Sequence, residues 1–151
     1  MDDIIASLLT RNLLEVFGER DPARRRRAIA DLFAGDVVFA DPHGRATGHA
    51  ALDRQVEALL ARAPGWSFRV AGPVQAVQEA GRLAWGFGPP GEAPRVTGLD
   101  VILVREGKIA ALYTFLDPAT DPAAGADARR IGQASPRPPS PRQERARGSI
   151  A

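Results

Sequence analysis

Val96-Thr97-Gly98-Leu99-Asp100-Val101-Ile102-Leu103-Val104-Arg105-Glu106-Gly107-Lys108-Ile109-Ala110-Ala111-Leu112-Tyr113-Thr114-Phe115-Leu116 is two apolar, β-branched-rich runs joined at Glu106-Gly107. That pattern reads as two strands and a tight turn. Working backwards from it, segments near 67–78 and 82–88 have the same period and are closed by Glu79-Ala80-Gly81 and Pro89-Pro90-Gly91. Gly72-Pro73 inside the first of these segments predicts a bulge that bends a sheet. Before Ser67 the period is helical. Ile4, Ile5, Leu8, Leu9, Leu13, Val16 and Phe17 form one stripe. Asp21-Pro22 starts a second helix that runs to about Phe33, with its Arg24–Arg27 run read as a solvated face, and Leu52, Val56, Leu59 and Leu60 mark a third. A short strand, Val37 to Ala40, and a loop from Asp41 to Gly48 lie between the last two. Helices followed by a strand meander predict an α+β domain in which antiparallel strands curl against helices.

The chain has 151 residues, 25% of them charged, and contains no cysteine. Disulfides, thiolate metal sites and cysteine nucleophiles are thereby excluded. Up to Leu116 there are 14 basic and 14 acidic residues, so the net charge of +2 comes from the segment beyond it. That distribution argues against a nucleic-acid surface on the folded part. Residues 118–151 are rich in Pro, Arg and Ala and read as a disordered tail following a domain of residues 1–117. No apolar run approaches the roughly 18 residues of a membrane span, and residues 1–20 lack a signal-peptide pattern. The expectation is a cytoplasmic, soluble protein with no membrane partner.

Three polar residues break the local pattern. Asp100 interrupts a strand that is apolar on both faces, so its carboxyl must be paired with an arginine, hydrogen-bonded or protonated. Asp41 ends the Val37–Ala40 strand in front of Pro42. It is either a turn residue that bonds its own backbone or a carboxylate at a pocket rim. Asn12 sits on the apolar stripe of helix one, lining a cavity or filling a core contact. His43 and His49 match no strong metal signature, so no metal site is assigned, and His43 is placed at a pocket mouth. No serine lies in a Gly-x-Ser-x-Gly context and there is no phosphate-binding glycine loop, which leaves paired carboxylates as the available chemistry. By alternation Leu112, Thr114 and Leu116 share one strand face and Trp85 and Phe87 another. They are read either as walls of an apolar pocket or as plain core.

The run Leu32-Phe33-Ala34-Gly35-Asp36-Val37-Val38-Phe39-Ala40-Asp41-Pro42-x-Gly44, the helix opened by Gly48, Gly107-Lys108-Ile109 and the closing Phe115-Leu116-Asp117 together resemble the nuclear transport factor 2-like superfamily. Within it they resemble SnoaL-like proteins and ketosteroid isomerases, over about residues 4–117. The resemblance implies a cone, the cystatin-like α+β roll, in which a strongly curved sheet wraps around three N-terminal helices with a pocket at the open end. It also implies a homodimer formed through the sheet. For the site it implies that Asp41 is the catalytic base and that Asp100 is a neutral acid donating to a substrate oxyanion. The expected activity is cofactor-independent isomerase or cyclase chemistry on a hydrophobic carbonyl compound. Its rival is a non-catalytic ligand-binding or dimerisation module of the same fold. The chain departs from ketosteroid isomerases in having no tyrosine in helix one; the matching position falls near Leu13, beside Asn12. The residues of the fold's epoxide hydrolases are also missing, with Thr114, Trp85 and Phe87 standing in those regions.

Overall fold

A computed structural model describes residues 2–118. The expected tail, 118–151, therefore lies outside the described residues apart from Pro118 itself. Helix α1 (Asp2–Arg11) continues without a break into a π-helical segment, Asn12–Phe17. That segment closes with Gly18 N donating to Leu13 O at 2.9 Å, five residues back. Asp21 caps α2 (Pro22–Leu32) by accepting from Arg24 N at 2.9 Å, as the Asp-Pro pair predicts. Helix α3 spans His49–Arg62.

Among the described residues seven strands follow the chain as β1 (Phe33–Asp41), β2 (Gly44–Thr47), β3 (Ser67–Val70), β4 (Gln75–Val77), β5 (Ala80–Gly88), β6 (Val96–Arg105) and β7 (Lys108–Leu116). They form one curved, unclosed sheet in the order β2-β1-β7-β6-β5-β3, with β4 also on β5. The β6–β7 hairpin turns through Glu106 at φ 52° and Gly107 at φ 76°, the left-handed pair that a tight hairpin needs. The chain breaks away from β5 between β3 and β4 at Gly72-Pro73, where the sequence predicts a bend.

Three features differ from the sequence reading. Strand β1 begins at Phe33, directly on the end of α2, and its far end folds back into β2 where a loop was expected. One pairing is parallel: β1 runs with β7, closing the first strand of the chain on the last. The register slips between Phe33 and Val38, and the released carbonyls are taken up locally. Gly48 N donates to Val37 O at 2.8 Å, and His49 Nε2 lies 2.9 Å from Phe33 O and 3.0 Å from Ala34 O. Finally, the Arg24–Arg27 run is not uniformly solvated. Arg25 is 1% exposed, holds Asp53 at 2.7 Å and also pairs with Glu57, tying α2 to α3.

The core lies between the helices and the inner face of the sheet. Ile5, Leu9, Leu13, Ile29, Leu52, Val56, Leu83, Ile102, Ile109 and Leu112 are all essentially buried there. On the other face, cross-strand pairs Leu99–Phe115 and Val101–Tyr113 leave Phe115 56% exposed.

Candidate functional site

The inner face of β6 carries Gly98, Asp100 and Ile102. Asp100 lies directly across from Thr114 on β7 and from Leu83 on β5, and Trp85 lies across from Gly98. A Cβ at Gly98 would stand 2.4 Å from Trp85 Cζ2 and 2.5 Å from Phe115 O. Only glycine lets the indole lie flat against β6 and reach the acid diagonally. The result is a small polar group set in a largely apolar inner face. Trp85 Nε1 donates to Asp100 Oδ1 at 3.0 Å and Thr114 Oγ1 donates to the same oxygen at 2.8 Å. Asn12 Nδ2 lies 3.4 Å from Oδ2.

Asp100 is 3% exposed and has no cationic partner among these contacts. Of the outcomes open for a buried carboxyl, this is hydrogen bonding without an ion pair. Burial pushes its pKa up from 3.8 to about 6, and the hydrogen bonds from Thr114 and Trp85 restrain the rise.

Asp100 and Thr114 open onto a cavity of about 110 Å³ at the wide end of the cone. Phe17, Phe39, Phe68, Trp85 and Phe87 supply an aromatic wall, completed by Leu13, Leu59, Val96 and Leu116. The rings brace one another: Phe68 stacks on Phe87 at 4.0 Å and meets Trp85 edge-on at 5.5 Å. Polar groups come from the β1–β2 hairpin and α3, namely Asp41, His43, Arg45 and Gln55. Asp41 is half-buried, and its Oδ1 accepts from His43 N at 2.9 Å and Gly44 N at 3.1 Å. That is the turn chemistry its sequence allows, yet the same residue lines the cavity, and its other oxygen has no partner among the described residues.

Asp41, Asp100, His43, Trp85, Phe87, Thr114 and Leu116 thus border one cavity. Asn12 and Leu112, expected on its wall, do not. Asn12 stands behind Asp100, while Leu112 is fully buried in the core. The alternation that groups Leu112 with Thr114 and Leu116 is real, but the sheet curls and α2 packs over that end of β7. His49 is bonded to strand carbonyls away from the cavity. Among the described residues no group of three or more His, Cys, Asp or Glu is placed to hold a metal ion. No helix among them is long and apolar enough to cross a membrane.

Phe17, Phe39, Gln55, Leu59 and Phe68 were not expected at the site from the sequence, Phe17 and Leu59 being read only as helix stripes. Each sits on an apolar stripe, or beside one, that reads equally well as core, and only the curl of the sheet exposes it to a cavity.

The sequence model of the SnoaL-like domain matches residues 10–112. The chain belongs to the SnoaL-like domain family. Solved structures agree with this SnoaL-like fold. One, a proposed isomerase of the SnoaL-like family from Agrobacterium tumefaciens strain C58, is 25% identical, with TM-score 0.72 over 77% of this chain and 99% of that one. A proposed ketosteroid isomerase from Kribbella flavida is 20% identical, with TM-score 0.61 over 93% of both chains. A proposed SnoaL-like polyketide cyclase from Jannaschia sp. CCS1 is 11% identical, with TM-score 0.66 over 89% of this chain and 95% of that one. No curated protein matches the sequence. The nuclear transport factor 2-like, cystatin-like α+β roll is therefore the fold of this SnoaL-like domain.

Proposed function

We propose that this SnoaL-like domain is a cofactor-independent acid/base enzyme of isomerase or cyclase type, acting on a hydrophobic carbonyl compound in the cone pocket. The observation that carries the reading is that Asp41 and Asp100 border one aromatic cavity while, among the described residues, Asp100 has no cation to hold it ionised. Asp41 takes a proton from the carbon beside the carbonyl. Asp100, in the protonated form that burial sustains up to about pH 6, donates a hydrogen bond to the oxygen on which negative charge develops. Return of the proton to another carbon completes an isomerisation; attack of the enolate carbon on a second carbonyl of the substrate, whose π bond opens and whose oxygen takes the proton back from Asp41, completes an aldol-type cyclisation. His43 orients the substrate at the mouth, and the aromatic wall excludes water.

The hydrogen bonds that Asp41 Oδ1 accepts from the turn favour a second reading, a non-catalytic pocket that binds a hydrophobic ligand. A thermal-shift screen of hydrophobic ketones and polyketide-like aromatics on wild type and Asp41→Asn separates the two. Stabilisation of both proteins with turnover by wild type alone supports the enzyme. Stabilisation of both without turnover supports the binding module.

We also propose a homodimer through the outer sheet face, where Leu99, Val101, Tyr113 and Phe115 form an apolar patch with Leu103, which is 37% exposed.

A further inference from the structure

Asn12 Oδ1 is a buried polar atom with no partner, the one such side-chain atom among the described residues. Its residue is 0% exposed and opens the π-helical segment of the first helix. Its Nδ2 faces Asp100 Oδ2 at 3.4 Å, long for a hydrogen bond to a carboxylate. The other carboxyl oxygen, Oδ1, already accepts from both Trp85 and Thr114. A proton added to Asp100 therefore sits on Oδ2, and Oδ2 then needs an acceptor rather than a donor. A carboxamide offers both on one frame, and its two ends are nearly the same size. Turning it over puts the unpartnered oxygen against the acid without repacking the core.

We propose that Asn12 is a positioning residue for Asp100 whose amide turns over with the state of that carboxyl, nitrogen toward the carboxylate and oxygen toward the acid. In the empty pocket the acid proton is held on Asn12 Oδ1. A ligand carbonyl arriving from the cavity side competes for that proton. Asn12 does not line the cavity and so acts only through Asp100. The inference rests on the reading of Asp100 as the neutral donor of the site.

Other groups around Asp100 do not offer this exchange. Trp85 can only donate and Thr114 is engaged with Oδ1, while Leu83 across β5 and Gly98 and Ile102 along β6 are apolar. The ionisable groups on the cavity, Asp41, His43 and Arg45, belong to the β1–β2 hairpin, and none is hydrogen-bonded to Asp100.

The test is an NMR titration of the full-length labelled protein from about pH 4 to 8, following the Asp100 carboxyl carbon and the Asn12 side-chain amide together. Both signals are expected to move with one shared midpoint, and the Asn12 signals are expected to stop responding to pH in Asp100→Asn. In Asn12→Leu the Asp100 midpoint is expected to rise by roughly half a unit or more, because an apolar side chain replaces the amide beside the carboxylate. If Asp100 titrates and the Asn12 amide does not follow, the turnover is wrong and the reading of Asp100 stands. If Asp100 is already a carboxylate at about pH 4, the neutral-donor reading fails and takes this proposal with it; if it stays protonated to pH 8, that reading stands and the proposed turnover fails. The wild-type and Asp100→Asn titrations decide the matter even if Asn12→Leu does not fold.

Discussion

Replacing Asp100 by Asn should make the protein more stable at neutral pH, by an amount that depends on pH in a defined way. The unfolded chain keeps the ordinary carboxyl value of 3.8, while burial raises the folded-state value to about 6. Below the lower value both states are protonated and the acid contributes nothing to the pH dependence. Between the two values the folded state holds a proton that the unfolded state has lost, so stability falls as pH rises. Above the upper value the loss is complete. A gap of about two units corresponds to about 3 kcal/mol, or a melting shift of roughly 10 °C for a chain of this size. Asparagine is neutral throughout. Its oxygen can accept from Trp85 and Thr114, and its nitrogen can donate to the unpartnered Asn12 Oδ1. Urea unfolding of both proteins between about pH 4 and 8 gives the difference directly, since the other titrating groups cancel. That difference should be smallest at the acid end, grow through the middle of the range and level off above pH 6. A constant difference across the range would refute the argument that Asp100 is destabilised by ionising in place.

Gly98→Ala should cost about 1–3 kcal/mol, because the new methyl meets the Trp85 ring at 2.4 Å. Displacing the ring also removes its hydrogen bond, so a lower melting temperature should come with altered tryptophan emission. Arg25→Ala should lower stability by about 1–3 kcal/mol, measured by urea unfolding, since it removes the buried guanidinium that ties Asp53 and Glu57 of α3 to α2, while Asp53 keeps Arg26 at 3.1 Å and Glu57 is exposed to water. Arg25→Met, which keeps most of the volume, should lose less. Phe115→Arg on the outer face should convert a dimer to a monomer in light scattering and leave the cavity untouched; an unchanged mass would remove that interface.

The hairpin from Val96 to Leu116 was legible almost to the residue, because apolar runs, a Glu-Gly turn and strand-like composition all agree there. At Gly72-Pro73 the Gly-Pro pair made a bulge legible, but not that the segment divides there into β3 and β4. Strand β2 was not legible: Gly44-Arg45-Ala46-Thr47 has too few apolar residues for a period, and the pairing that makes it a strand comes from β1. The parallel β1–β7 contact joins segments some seventy residues apart, which no local pattern encodes. At the site, Asp100 announced itself as a charge in an apolar strand, but its partners depend on register and on the space left by Gly98. Asn12 was visible as a polar gap in a helical stripe. Its true neighbour was hidden, since the widened π turns of the first helix cannot be read from spacing built on 3.6 residues per turn. Arg25 misled because four arginines in a row look solvated, while the helix turns one of them inward onto α3.

In the proposed reaction Asp41 removes a carbon-bound proton from a ligand whose carbonyl is held by Asp100. Proton NMR in D2O measures this without knowledge of the natural product, by following deuterium entry beside the carbonyl of a hydrophobic ketone that binds the pocket. Wild type should exchange that position faster than solvent alone, and Asp41→Asn should bind the ketone but exchange it no faster than solvent. Equal exchange by both proteins, or none by wild type with any ketone that binds, would contradict the claim.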